Sequence, residues 1–199
     1  MRLILASGSP RRKELLDLLG IDFEIIPSTV KEKMMGETPY EVVMSLSEQK
    51  AEDVFVKQKA QGQGEDFAVL GADTIVFCDG ARLGKPKDEE DACRMLRILS
   101  GRSHEVYTGV TLQLFQNRES SRQSFFDCTR VEMYPISDEE IAWYVGTKEP
   151  MDKAGAYAIQ GKGSVFIKGI HGDYQNVVGL PVAKVWRCLR ECGVIEMRN

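Results

Sequence analysis

Apolar residues recur along this chain in two rhythms, short runs or alternations and patches spaced three and four apart, and their interleaving is the signature of strands and helices mixed in one fold. Leu3 to Ala6 reads as a short buried strand. Ser9-Pro10 then marks a helix start, with an N-cap residue followed by Pro at the first helical position, and Leu15, Leu16, Leu18 and Leu19 give that helix an apolar face up to Gly20. Phe23 to Pro27 predicts a second strand. After a polar loop, Thr38-Pro39-Tyr40-Glu41 is a capping box opening a long helix towards Lys59, and Gln61 to Gly64 reads as a surface connection.

Phe67 to Ala72 and Ile75 to Cys78 predict strand segments interrupted at Asp73-Thr74, with a hairpin signal at Asp79-Gly80 before Arg82-Leu83. Asp88 to Asp91 opens a helix ending near Gly101. Glu105 to Phe115 and Phe125 to Tyr134 alternate as strands joined by a polar turn from Gln116 to Gln123, and Ser137 to Glu140 is a further capping box for a helix stopping near Gly146. The segment from Gly155 to Gly179 is dense in glycine, and a helix follows Pro181 through Cys192. No repeat period or low-complexity linker breaks the pattern. The expectation is α/β, a mixed central sheet with flanking helices and a cleft, whether as a single body or as two lobes around it, residues 1–199 forming one domain.

Composition narrows the chemistry. The 26 Lys and Arg against 30 Asp and Glu leave a net charge of −4, which argues against a generic nucleic-acid binder, so a polyanionic ligand must meet a local basic site. Two histidines, His104 and His171, are too few for a histidine-rich metal centre. The five cysteines form no Cys-x-x-Cys pair and an odd count makes a poor disulfide framework, so a reducing, cytoplasmic setting is expected. The apolar start ends in Ser-Gly-Ser-Pro, far short of a signal core, and no stretch approaches a membrane span.

Ser7-Gly8-Ser9-Pro10-Arg11-Arg12 places hydroxyls, backbone N–H groups and two guanidinium groups at a helix N-terminus, the donors a phosphate requires; it lacks the P-loop and dinucleotide spacings, and a plain helix cap would look similar. Asp73 is a carboxylate inside an apolar strand run, which sits at a strand end facing a cleft, needs a buried partner, or lies in a turn bonded to nearby backbone. Lys85 in Gly84-Lys85-Pro86, Glu32 in its polar loop and Lys50 on the long helix are each uninformative alone. The segment Asp152 to Gly161 fits a ligand loop as well as a set of turns, and Cys188 and Cys192, one helical turn apart, fit a core face.

Together the motifs Ala-Ser-Gly-Ser-Pro-Arg-Arg at 6–12, Gly-Ala-Asp-Thr at 71–74, Gly-Lys-Pro at 84–86, Leu-Ser-Gly-Arg at 99–102, Asp-Lys-Ala-Gly-Ala-Tyr at 152–157, Ile-Gln-Gly at 159–161 and Val-Val-Gly-Leu-Pro at 177–181 resemble the Maf family of nucleoside triphosphate pyrophosphatases, from Leu5 to about Leu189. The resemblance implies a fold similar to inosine triphosphate pyrophosphatases, hydrolysis of a nucleoside triphosphate to monophosphate and pyrophosphate with Mg²⁺ or Mn²⁺, and a homodimer without nucleic-acid or membrane partners. It implies that Asp73 accepts the proton and, with Glu32, holds the metal; that Glu32, Lys50 and Lys85 are active-site side chains; and that Ser7, Ser9, Arg11 and Arg12 bind substrate. Arg11, Thr74 and Gln160 match the set of the dTTP/UTP subgroup rather than the methylated-guanosine one. Rival readings are a family enzyme for methylated or other modified nucleotides, a nucleotide-binding regulator of cell division or septum formation, and a nucleotidyltransferase, which would need an acceptor.

Overall fold

The computed structural model describes residues 1–62 and 64–196. Its elements are β1 (Arg2–Leu5), α1 (Pro10–Asp17), β2 (Glu24–Ile25), α2 (Pro39–Gln61), β3 (Phe67–Cys78), β4 (Ala81–Leu83), α3 (Glu89–Leu99), β5 (Ser103–Gln116), β6 (Glu119–Met133), α4 (Asp138–Gly146), β7 (Ile167–His171), α5 (Tyr174–Val178) and α6 (Val182–Glu191), with 3₁₀ turns at Glu149–Asp152, Ala154–Ala156 and Gly161–Phe166. The strands follow the order β2-β1-β3-β5-β6-β7, with β4 added on β3. Parallel pairing of β1 with β2 and β3, and antiparallel pairing of β3 with β4 and β6 with β7, make the sheet mixed, as expected. No helix among the described residues is long and apolar enough to cross a membrane.

The chain divides into two compact units. The first comprises Met1–Asp73, Thr108–Phe126 and the segment from Gly179 on; the second comprises Thr74–Tyr107 and Asp127–Val178. In the first, alternate positions of β1 and β3 (Ile4, Ala6, Phe67, Val69) pack with Ala51, Val54 and Phe55 of α2 and with Phe115 into one apolar cluster. The period of two puts Leu3 and Leu5 on the opposite face, where they are equally buried, so both sides of this part of the sheet are covered. Helix α2 comes very close to the sheet because it meets glycine. A Cβ on Gly71 would collide with the Ser47 carbonyl and the Ala51 backbone N, and one on Gly109 with the Val43 carbonyl. In the second unit α3 packs on α4 and on the turn at Ala154–Ala156, and Tyr144 meets Phe166 edge-on at 5.3 Å between ring centroids.

Three expectations need correction. β3 is continuous through Asp73 and Thr74, both half-buried, rather than interrupted there. β2 is only two residues long: Ile26 N–H still donates to the Leu5 carbonyl at 3.1 Å, but Pro27 has no N–H to carry the ladder further. The polar stretch 116–123 is not a turn. Asn117 and Arg118 alone make it, both at positive φ, and residues 119–124 are strand whose polarity reflects exposure. The glycine-dense segment holds β7 and α5 besides its turns. The capping boxes at Thr38 and Ser137 form as expected, while α1 ends at Asp17, with Gly20 at φ 62° closing the following turn. The expected surface connection at 61–64 includes Gln63, which lies outside the described residues.

Candidate active site

In the first unit, the loop after β1 turns directly into α1. Ser9 stands at the N-cap with Pro10 at the first helical position, yet its hydroxyl makes no cap hydrogen bond. The expected plain cap is therefore not what that hydroxyl does. Ser7, buried at the strand end, accepts from Ser9 N–H and from Arg12 Nη1, each at 3.3 Å. Arg12 Nε donates to the Gly179 carbonyl at 2.8 Å, so the residue immediately after α5 aims the guanidinium. Burial lowers the Arg12 pKa from its ordinary value; the neighbouring negative charge of Asp73 opposes this, Arg11 adds to it and Glu32 opposes it. Arg11, Arg12, Glu32 and Asp73 thus share one electrostatic neighbourhood.

Lys50 lies at its centre. Its ammonium stands 3.1 Å from Glu32 Oε1 and donates to Asp73 Oδ1, and Lys50 and Asp73 are both largely buried while Glu32 is half-exposed. The close approach at Gly71 is what brings Lys50 on α2 to Asp73 two positions further along β3. Glu32 sits on the loop between β2 and α2, and α2 ties that loop down. Gln49 accepts from Lys33 N–H at 2.9 Å and donates to the Lys33 carbonyl at 2.7 Å, copying a strand pairing with one amide side chain. One turn on, Asp53 accepts from Ser28 Oγ and Thr29 N–H, both at 2.8 Å. Desolvation works to raise the Asp53 pKa, but the Lys57 ammonium and these hydrogen bonds outweigh it and hold the group below 3.8.

The remaining site residues named from the sequence fall in the second unit. Thr74 is half-buried on β3, Lys85 is exposed in the loop after β4, and Gln160 is half-buried immediately before the Gly161–Phe166 turn. The segments that carry the last two meet through backbone. Gly155 N–H donates to the Gly84 carbonyl at 3.0 Å, and Gly155, at φ 70°, lies so near β3 that a Cβ there would stand 2.9 Å from Val76 Cγ2. Behind this loop His104 Nε2 and the Tyr157 hydroxyl pair at 2.7 Å, both buried, and burial lowers the imidazole pKa to about 4.

The residues named from the sequence therefore fall into one charged group in the first unit, Ser7, Arg11, Arg12, Glu32, Lys50 and Asp73, and a separate loop set in the second, Thr74, Lys85 and Gln160. Sequence reasoning did not find Gln49, Asp53, Gly179, His104 or Tyr157 as supports. Their signals, a polar residue one helical turn from another or a lone buried histidine, are common on any surface or core. All five cysteines are free, as their spacing implied. Among the described residues no three His, Cys, Asp or Glu side chains cluster as a metal site. His171 is an exposed β7 residue 3.9 Å from Glu132.

A hydroxyl-and-guanidinium loop at a helix start, sharing its electrostatic neighbourhood with an ammonium held by two carboxylates, has the donor chemistry of anion-handling proteins. The chain belongs to the family described as Maf-like protein, whose model matches residues 2–192. Among its relatives, a dTTP/UTP pyrophosphatase from Carboxydothermus hydrogenoformans is 53% identical over 97% of this chain and 100% of its own length. A protein of the same name from Bacillus velezensis is 52% identical over 97% of each chain, and one from Agathobacter rectalis is 49% identical over 97% of this chain and 98% of its own. A solved nucleoside-triphosphatase / dITP/XTP pyrophosphatase from Mycobacterium abscessus aligns over 99% of each chain at 12% identity and a TM-score of 0.36, too loosely to bear on fold or function.

Proposed function

We propose that this chain is a dTTP/UTP pyrophosphatase, cleaving these nucleotides between the α- and β-phosphates to give the monophosphate and pyrophosphate. The observation that carries the reading is Lys50 set between Glu32 and Asp73 beside the Arg11-Arg12 pair, in a chain about half identical to relatives bearing that name over their full length. We read both compact units as one Maf-like domain, acting as a homodimer.

In the proposed reaction a water oxygen forms the new bond to the α-phosphorus, the bond to the bridging oxygen of the β-phosphate breaks, and pyrophosphate leaves with that electron pair. Asp73 accepts the proton of the attacking water. Arg11, Arg12 and Lys85 neutralise charge on the phosphate oxygens, and Ser7 and Ser9 donate hydroxyl hydrogen bonds to them. Lys50 passes from its carboxylate partners to the phosphate once a triphosphate offers it a stronger anion. Gln160, with an amide donor and acceptor, reads the O4 and N3–H edge of thymine or uracil, and Thr74 shapes that pocket.

The donor set fits a divalent metal. Glu32 and Asp73 present hard oxygen atoms towards one shared cation position, and Mg²⁺ or Mn²⁺ at such sites commonly takes one or two carboxylates and completes its shell from substrate phosphate and water. Held by Glu32 and Asp73, it would supply charge neutralisation at the phosphates.

Purified protein given dTTP, UTP, dCTP and modified nucleotides with Mg²⁺ or Mn²⁺ should release monophosphate and pyrophosphate in equal amounts, fastest from dTTP and UTP, with no acceptor present. Release of orthophosphate, or a requirement for an acceptor, would overturn the assignment. Light scattering on the eluted protein tests the dimer, which fails if the mass is that of one chain.

A further inference from the structure

Gln160 is the one residue to which the proposed function assigns base reading, and its side chain makes no cap hydrogen bond to the turn it precedes. What fixes its position must therefore come from the backbone on either side. On one side, Ala158 N–H donates to the Tyr144 hydroxyl at 3.0 Å. On the other, Lys162 N–H donates to Glu149 Oε2 at 3.1 Å and Gly163 N–H to Glu149 Oε1 at 3.0 Å. The two anchors are themselves joined, because the Tyr144 hydroxyl donates to Glu149 Oε1 at 2.9 Å.

The anchors are rigid. Tyr144 is fully buried on α4 against Phe166, and Glu149 follows α4 directly. Desolvation works to raise the Glu149 pKa, yet the Gly163 and Lys162 N–H groups, the Tyr144 hydroxyl and the nearby Lys153 charge outweigh it and keep the carboxylate ionised. The backbone is shaped to receive them. Gly161, at φ 80°, has room for no Cβ, which would stand 2.7 Å from Glu149 Oε2, and a Cβ on Gly163 would stand 2.6 Å from the Tyr144 hydroxyl. A carboxylate accepting three donors and a phenol serving two partners, all converging on the six residues from Ala158 to Gly163, is more than packing requires.

We propose that Tyr144 and Glu149 are positioning residues for base selection: a clamp that pins the backbone on both sides of Gln160 and so sets where its amide meets the base edge. The proposal rests on the reading of Gln160 as the base-reading residue.

The test compares Tyr144→Phe, Glu149→Ala and Glu149→Gln with Gln160→Ala. Hydrogen exchange should show the amides of residues 158, 162 and 163 losing protection in the clamp variants. The ratio of kcat/KM for dTTP over dCTP should fall roughly tenfold, with KM for dTTP rising more than kcat falls, since a polar site discriminates by placement of its hydrogen bonds. Glu149→Gln keeps one acceptor oxygen and should fall between wild type and Glu149→Ala, which also covers the case in which Glu149→Ala does not fold. In a Gln160→Ala background the clamp substitutions should leave the ratio unchanged. Equal losses on every nucleotide with the ratio intact, or undiminished exchange protection, would refute the clamp while leaving Gln160 as the reader. A Gln160→Ala enzyme with the wild-type ratio sinks the reading of Gln160 and the clamp with it.

Discussion

The two groups of residues given roles in the proposed function, one in each unit, are assembled on opposite principles. In the first unit, side chains hold one another: the Ser7 hydroxyl accepts from Arg12 within one segment, and Lys50 pairs with Glu32 and Asp73 from distant segments. In the second, the loop around Gln160 is held through its backbone by Tyr144 and Glu149, and the adjacent loop by Gly155 donating to the Gly84 carbonyl. The difference matches the proposed tasks. Neutralising a triphosphate needs mobile charge that can exchange one anion for another, whereas telling thymine from cytosine needs a hydrogen-bonding edge that does not move.

The most severe way to break the first group is Asp73→Asn. It keeps the shape and leaves Lys50 paired with Glu32, so the fold should survive, while kcat falls about 10²- to 10⁴-fold for loss of a proton acceptor. Steady-state pyrophosphate release beside a thermal melt checks this. Turnover within about threefold of wild type would remove Asp73 from the mechanism. If turnover is lost while a cellular effect on division persists, the regulatory reading gains instead.

The second unit should instead be sensitive to acid through His104. A buried imidazole that protonates near 4 takes up its proton later than the unfolded chain, whose histidine does so near 6.5, so stability is lost as pH falls below 6.5 and no further loss comes below about 4. At pH 5 the cost is about 2 kcal/mol, with no contribution above pH 7. His104→Gln keeps an amide for the Tyr157 hydroxyl and should flatten the difference between denaturant unfolding at pH 7 and pH 5. An unchanged difference would show that other groups carry the acid sensitivity.

The contact that sets Lys50 against Asp73 can be probed without touching either charge. Gly71→Ala places a Cβ against the Ser47 carbonyl and 2.8 Å from the Ala51 backbone N, forcing α2 outward. Overpacking of this kind costs roughly 1–3 kcal/mol. Turnover should fall for all nucleotides alike, since the charged group is displaced and Gln160 is not. A shift in the dTTP-to-dCTP ratio would contradict the division of labour between the two groups.

These supports also mark where sequence reasoning stops. The apolar runs of β1 and β3, the Leu face of α1 and the boxes at Thr38 and Ser137 were legible because local pattern and final packing agree there. Ser7, Arg12 and Asp73 were legible as residues that need polar partners, because a hydroxyl-and-cation run and a carboxylate inside apolar strand rarely stand alone, but their partners were not. Residues 119–124 looked like a loop because an exposed strand carries the same polar residues, and only pairing in the sheet distinguishes them. The turns around Gln160 were illegible for a stronger reason. Their geometry is set by Tyr144 and Glu149, which lie more than ten positions upstream and whose residue types predict nothing by themselves.

The smallest expected effect concerns Ser9, where helix capping and ligand binding make opposite predictions. Thr38 caps α2 with its hydroxyl, accepting from Glu41 N–H, so Thr38→Ala should cost about 1 kcal/mol and leave KM unchanged. Ser9 occupies the same position on α1 but makes no such bond, so Ser9→Ala should change stability by less than about 0.5 kcal/mol. If its hydroxyl serves a phosphate, KM should instead rise about two- to tenfold, the value of one hydrogen bond. Paired unfolding and kinetic measurements on the two variants separate the roles. A Ser9→Ala protein that loses stability like Thr38→Ala and binds nucleotide as before would return Ser9 to the helix and leave Ser7 as the only hydroxyl of that loop proposed to bind phosphate.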